Sequence, residues 1–171
     1  MTVKELITHN RSFRRFDQGT AVSKKTLREL VELARRSATG ANLQPLKFYL
    51  SYTDKTNEEI FPELAWAGYL KDWDGPAAGE RPSAYIIILG DTEIRESVGC
   101  DHGIAAQSIL LGAVEKGLGG CMLASVKREK LREKLSLPSR YSILLVLALG
   151  KPVEKVVLDD MDNEESVKYW R

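Results

Sequence analysis

The chain has 171 residues, 43% apolar and 29% charged, with a formal net charge of +1. That length suits one domain with a substantial core, and the near-neutral charge excludes a general pull toward nucleic acid, so any anion site must be local. The longest apolar runs, near Tyr85–Leu89 and Ile143–Leu149, are too short to span a bilayer.

The polar opening with Thr2, Lys4 and Glu5 gives no sign of a signal peptide. Thr2 and Glu5 form a capping box for a short helix with Val3, Leu6 and Ile7 on its apolar face, ending near Asn10. Arg11-Ser12-Phe13-Arg14-Arg15-Phe16 follows. Phe13 and Phe16 are expected to anchor it to the core. Arg11, Ser12 and Arg14 place two guanidinium forks and a hydroxyl within four positions, chemistry suited to a phosphate; a solvated basic turn is the alternative. Ser23 caps a helix to about Arg36, with Leu27, Leu30, Val31 and Ala34 on one face.

Between that helix and the next strand lies Ser37-Ala38-Thr39-Gly40-Ala41-Asn42-Leu43-Gln44-Pro45. Its side chains are small, so main chain can approach a flat ligand, and an ordinary helix-to-strand connection is equally compatible. Gly40 is free to take a left-handed conformation, Asn42 tolerates one, and Pro45 biases Gln44 toward extended backbone. Leu46–Tyr52 alternates as a strand. Thr56 and Glu59 suggest a second capping box, opening a helix with Ile60, Leu64, Ala65 and Trp66 and with Pro62 in its first turn. Tyr69, Leu70 and Trp73 precede a Gly/Pro loop over 74–83, an arrangement suited to a lid over a planar substrate or to packing.

Ala84–Leu89 reads as a strand buried on both faces, and Asp91–Val98 as a short polar helix. Asp101 is expected to cap a helix to Lys116, stopped by Gly117. That helix is apolar around nearly its whole circumference, so it is either a central core element or part of a subunit interface. Cys100-Asp101-His102 supplies half a metal site at most, and no metal is expected. The two cysteines, Cys100 and Cys121, make no disulfide framework, which suggests a reducing, cytoplasmic location. Gly117-Leu118-Gly119-Gly120 lacks the Lys-Ser/Thr of a P-loop and precedes a strand, so it is no nucleotide fingerprint. Cys121–Ala124 is a short strand, Ser125 caps a helix Lys127–Leu135, and Ser142–Leu149 is a second buried strand. The rest is an arm: apolar Val156-Val157-Leu158, an acidic stretch, then Tyr169 and Trp170, which need a surface to land on. The sum is an α+β domain over residues 1–152, with a mixed sheet of about four strands flanked by helices and an extended arm over 153–171.

Together these stretches resemble the FMN-dependent nitroreductase family, in a compact branch suggested by Trp66-Ala67-Gly68-Tyr69-Leu70 with Gly79-Glu80-Arg81-Pro82. Arg11-Ser12-Phe13-Arg14-Arg15-Phe16 is similar to the family's opening R-S-x-R-x-F. Ser37 to Pro45 resembles its small-residue loop ending N-x-Q-P. Asp101-His102-Gly103 through Gly117-Leu118-Gly119 resembles its long central helix, and Ala148-Leu149-Gly150-Lys151-Pro152 its last core strand. The resemblance implies a homodimer with FMN at the subunit interface. Arg11, Ser12 and Arg14 would hold the phosphate and the polar end of the ring system. Ala38, Thr39 and Gly40 would pack on the flavin from the other subunit, with Asn42 and Gln44 holding that loop or reaching the cofactor. The main chain of Leu123, Ala124 and Ser125 would lie by the reactive edge.

The implied activity is hydride transfer from NADH or NADPH through FMN to a nitroaromatic, quinone or similar planar acceptor, with the redox chemistry supplied by the flavin. Reductive dehalogenation, flavin fragmentation or a non-enzymatic flavin-binding role are the alternatives on the same scaffold. No catalytic acid or base is singled out. Two departures stand out. Thr39-Gly40 replaces the family's frequent Pro-Ser, and the chain stops at Arg171, where relatives usually carry further basic residues. Either Arg11 and Arg14 then suffice for the phosphate, Lys151 or Arg171 substitutes, or the sequence is truncated and binds FMN weakly.

Overall fold

The structure, a computed structural model, describes residues 1–68 and 70–158. Tyr69 and residues 159–171, with Tyr169, Trp170 and Arg171, lie outside the described residues. Local signals open the first two helices. Before α1 (Val3–His9), Thr2 accepts from Glu5 N at 3.3 Å and Glu5 accepts from Thr2 N at 2.6 Å, a complete capping box. Before α2 (Lys24–Arg35), Ser23 Oγ accepts from Thr26 N at 3.0 Å, and the helical period buries Leu27, Leu30 and Ala34.

Five strands form one sheet: β1 (Phe16–Asp17), β2 (Leu46–Ser51), β3 (Ala84–Asp91), β4 (Gly119–Leu123) and β5 (Tyr141–Pro152). Their order is β1-β5-β3-β2, with β4 also paired to β5. The α+β class is as the sequence implies. The sheet has one strand more than expected, and its strand pairs are antiparallel where a mixed sheet was expected. Strand direction follows from how the connections run, which composition does not encode.

Every residue of β3 is buried, because helices cover both faces. On one face Ile86, Ile88, Leu147 and Leu149 pack beneath α2 and α4 (Asp101–Glu115). On the other, Tyr85, Ile87, Val146 and Ala148 meet Ile60 of α3 (Asp54–Ile60) and Leu131 of α5 (Arg128–Lys134). A register shift between Ile88 and Leu89 lets Leu144 and Leu145 both serve the α2/α4 face, as a bulge does. Helices α2 and α4 touch at Gly112, where a Cβ would collide with Leu33. A hydrogen bond between the Ser37 and Ser108 hydroxyls (2.7 Å) and one from Lys116 to Glu29 (2.6 Å) close the two ends of that pair. One side of α4 is therefore core, through Ala105, Ala106, Ile109, Leu110 and Ala113, while Ile104 is 39% exposed on the other. Among the described residues no helix is long and apolar enough to cross a membrane.

Several expected boundaries move, each because a more distant partner or a nearer cap prevails. The helix expected after Thr56 starts earlier, as α3, capped by Thr53 Oγ1 accepting from Thr56 N at 3.4 Å. It ends before Pro62, which sits in a 3₁₀ turn over Phe61–Glu63, and Leu64 is extended, bridged to Val126. Residues 92–94 form a turn, with Ile94 N and Arg95 N both donating to Asp91 O, and 95–98 are irregular rather than helical. Asp101 does not cap α4; Cys100 holds that position without a side-chain bond, and the Asp101 carboxylate accepts from Gly40 N instead. Ser125 does not cap α5, whose cap is Lys127.

Candidate active site

The donor segment Arg11–Phe16 is fixed at every position. Arg11 Nε donates to Asn10 O and Nη2 to Ile7 O, both at 2.7 Å, so its guanidinium closes the carbonyl end of α1 with two of its five N–H groups. Ser12, exposed, bridges Gly120 in parallel register, and Phe13 N donates to Gly120 O at 3.0 Å. Arg14 Nη1 donates to Ser12 O at 3.1 Å. The main-chain N–H groups of Arg14 and Arg15 both donate to Glu154 Oε1. Arg15 is engaged elsewhere: it binds Glu80 with both forks, and that hydrogen bond, more than any other influence, lifts the guanidinium above its ordinary pKa. Phe16 is fully buried, as an anchor should be.

Glycines let this segment lie flat on β4. A Cβ on Gly119 would come within 2.5 Å of the Phe13 ring, and one on Gly120 within 2.5 Å of Ala148 O. Beside them, burial pushes the Cys121 thiol up, against the opposing pull of the Arg14 charge. A cleft of about 460 Å³ opens next to the segment, between Thr8, His9, Arg11 and Phe13 on one side and Glu154 and Leu158 on the other.

The small-residue loop is strained and held. Ala41, Asn42 and Gln44 have φ of 52°, 54° and 52°, each costing on the order of 1–3 kcal/mol outside glycine. Gln44 is thus left-handed, not extended as expected from Pro45, and the left-handed residues are Gly40's neighbours. A Cβ on Gly40 would lie 2.5 Å from Arg95 Nη1, the mobile tip of a long side chain that would have to turn aside. Four bonds hold the turn: Gly40 N to Asp101 Oδ1 (3.0 Å), Asn42 N to Thr39 O (3.0 Å), Gln44 N to Thr39 Oγ1 (3.3 Å) and Gln44 Nε2 to Asn42 Oδ1 (3.0 Å). Asn42 and Gln44 therefore shape the loop through each other. Ala38 stays exposed on its surface.

The third group lies at the far end of β4. Leu123 is buried, while Ala124 and Ser125 are exposed. Arg128 Nη2 donates to Ala124 O at 3.1 Å and Ala65 N to Ser125 O at 2.9 Å. This zips the segment leading into Trp66 onto the Ala124–Ser125 main chain. Trp66 is buried, and among the described residues its indole N–H has no partner.

One protomer does not unite these groups. Gly40 is tied to Asp101 at the start of α4, whereas Gly120, under Ser12, would touch Leu110 if it carried a Cβ. The helix rises about 13 Å between Asp101 and Leu110, at roughly 1.5 Å per residue. Sequence reasoning missed Glu80 and Glu154 as supports of the donor segment. Each acts across a long sequence separation, although Glu80 stands within the Gly79–Pro82 motif and Glu154 lies two residues past the end of β5.

The donor set of Arg11, Ser12 and Arg14 suits a phosphate-bearing cofactor: charged forks plus an exposed hydroxyl. The Nitroreductase family model matches residues 7–151. A relative named "Putative NAD(P)H nitroreductase YodC", from Bacillus subtilis (strain 168), is 21% identical over 192 residues, covering 93% of this chain and 94% of that protein. The FMN-dependent nitroreductase of Clostridium difficile R20291 shares the fold at TM-score 0.75 and 22% identity, with 96% of each chain covered. So does CLA-ER, an enone reductase of gut-bacterial fatty acid saturation, at TM-score 0.78 and 16% identity, covering 98% of this chain and 97% of that one. With the family's pattern matched from α1 to the end of β5, the chain belongs to the Nitroreductase family and is an oxidoreductase.

Proposed function

We propose that the chain is an FMN-dependent NAD(P)H oxidoreductase acting as a homodimer, with a cofactor domain over 1–152 and an arm over 153–171 that packs on the partner subunit. The observation that carries the reading is the anchored Arg11–Arg14 segment, set about two and a half turns of α4 away from a strained, small-residue loop. Strain retained by several hydrogen bonds points to a functional surface. In this reading Arg11, Ser12 and Arg14 bind the phosphate, and Ala38, Thr39 and Gly40 of a second copy pack against the ring. The main chain of Leu123, Ala124 and Ser125 lies along its reactive edge, and Trp66, on the segment zipped to that edge through Ala65, keeps water from it. Bound there, FMN supplies the hydride chemistry, from NADH or NADPH to a planar acceptor such as a nitroaromatic or a quinone. An enone is a third acceptor type, suggested by CLA-ER's likeness.

The test is a visible spectrum of the purified protein, before and after reconstitution with FMN and desalting, then on adding NADH and NADPH in turn. A flavin spectrum that bleaches with reductant and returns with a nitro or quinone acceptor is expected. Protein left colourless after reconstitution overturns the reading. Bound flavin without turnover turns it toward dehalogenation, flavin fragmentation or a binding role.

A further inference from the structure

The strand that leaves the sheet carries an anion onto the donor segment. Pairing of β1 with β5 sets Phe16 opposite Pro152 and Asp17 opposite Lys151. The ladder continues past β5, since Val153 N donates to Arg15 O at 3.1 Å. The same register brings position 154 opposite position 14. There the Glu154 carboxylate receives two consecutive main-chain N–H groups, those of Arg14 and Arg15. Consecutive N–H groups aimed at one point form an anion-binding concavity. Without that carboxylate the Arg14–Arg15 main chain would lose the tie that fixes its path, and with it the placing of the side chains it carries.

We propose that Glu154 is a positioning residue of the phosphate site. It holds the Arg14–Arg15 main chain with the chain's own carboxylate and so fixes where the Arg11, Ser12 and Arg14 side chains meet the incoming phosphate. The inference rests on the reading of Arg11–Arg14 as the phosphate site. Because Glu154 works by accepting hydrogen bonds, an amide at this position preserves the device: glutamine keeps a carbonyl oxygen for the same two N–H groups and loses only the charge. Alanine keeps neither.

The test compares Glu154→Ala and Glu154→Gln with the wild type in two titrations, one with FMN and one with riboflavin, which lacks the phosphate. Unfolding midpoints confirm that all three proteins are folded. E154A is expected to lose FMN affinity by about tenfold or more, the scale of a charge-assisted bond, while its riboflavin affinity stays within about twofold of wild type. E154Q is expected to bind FMN at least as tightly as wild type, and the Arg14 and Arg15 amides to exchange faster in E154A only. Equal losses for FMN and riboflavin, a loss in E154Q matching that in E154A, or unchanged FMN affinity in E154A each overturn the inference. Tighter FMN binding in E154A also overturns it and makes Glu154 a competitor. A wild type that binds neither flavin fails at the earlier step, and the cofactor reading falls with it.

Discussion

Gly120 is where fold and site meet, and Gly120→Ala measures how tightly. A Cβ there would lie 2.5 Å from Ala148 O, 2.7 Å from a Leu110 methyl and 2.9 Å from a Leu149 methyl. The two methyls can rotate away, but the carbonyl oxygen cannot, because Ala148 sits in β5 between β3 and β4. Overpacking a core usually costs about 1–3 kcal/mol. With main chain as the obstacle, the upper part of that range or more is expected. Relief requires β4 to move off β5, which drags the Phe13 N–H bond to Gly120 O and with it Ser12. Urea unfolding followed by tryptophan fluorescence should show a lower midpoint at similar slope, with weaker FMN retention. Gly119→Ala is the comparison: its Cβ would meet the Phe13 ring at 2.5 Å and Pro152 at 2.6 Å. Side chains can yield there, so stability should fall less and FMN retention still suffer. G120A within about 0.5 kcal/mol of wild type would refute the close packing of β4 on β5.

Two further predictions use charge. Arg14→Ala should weaken FMN binding by roughly 1.5–3 kcal/mol, the value of a hydrogen bond to a charged group, measured by fluorescence titration; unchanged affinity removes Arg14 from the phosphate site. Glu63 is buried, and Lys134 Nζ, 2.7 Å away, holds its carboxyl below the ordinary 4.5, the hydrogen bond contributing most. A folded-state pKa below the unfolded one gives stability that is present above the unfolded value and lost as pH falls through the folded one. Glu63→Gln should therefore be less stable than wild type at pH 7, by a margin that shrinks once pH drops below about 4.5. A margin that stays constant from neutral to acid pH contradicts the pairing.

What was legible in the sequence is what is decided locally. Thr2 and Ser23 cap their helices because the N–H groups they meet are three residues on, and the unbroken apolar run in β3 can only be buried on both faces. Asp101 and Ser125 look identical to such caps in sequence, yet Asp101 bonds to Gly40, far away in the chain, and Ser125 lends its carbonyl to Ala65. Gln44 shows the same limit in reverse. A proline after it favours extended backbone, but bonds to Thr39 and Asn42 hold it left-handed. The donor residues of the site were legible as chemistry. Their supports, Glu80 and Glu154, were not, because each is recognisable only once distant parts of the chain are packed together.

The separation of the two half-sites makes a demand on assembly that can be tested at Ile104. This residue is 39% exposed on the side of α4 away from the core, and Val3 and Ile7 of α1 and Leu43 of the loop are exposed as well. In α1 no residue is buried at all, though its apolar period is that of a packed helix, so a cover over it gains hydrophobic free energy of roughly 25 cal/mol per Å². If a second copy supplies that cover, it also brings its Ala38–Gly40 loop toward the donor segment of the first. Ile104→Asp places a charge where a lone protomer has solvent, so the fold should persist, with an unfolding midpoint changed by no more than a surface substitution allows, about 0.5 kcal/mol. Between copies the same charge would be buried without a partner, at a cost of several kcal/mol. Sedimentation should then show a monomer, and FMN retention should fall although every donor of the Arg11–Arg14 segment is intact. Loss of the dimer with full FMN affinity would mean that one chain completes the site. A wild type that is monomeric and yellow would mean that the loop of a second copy is never used.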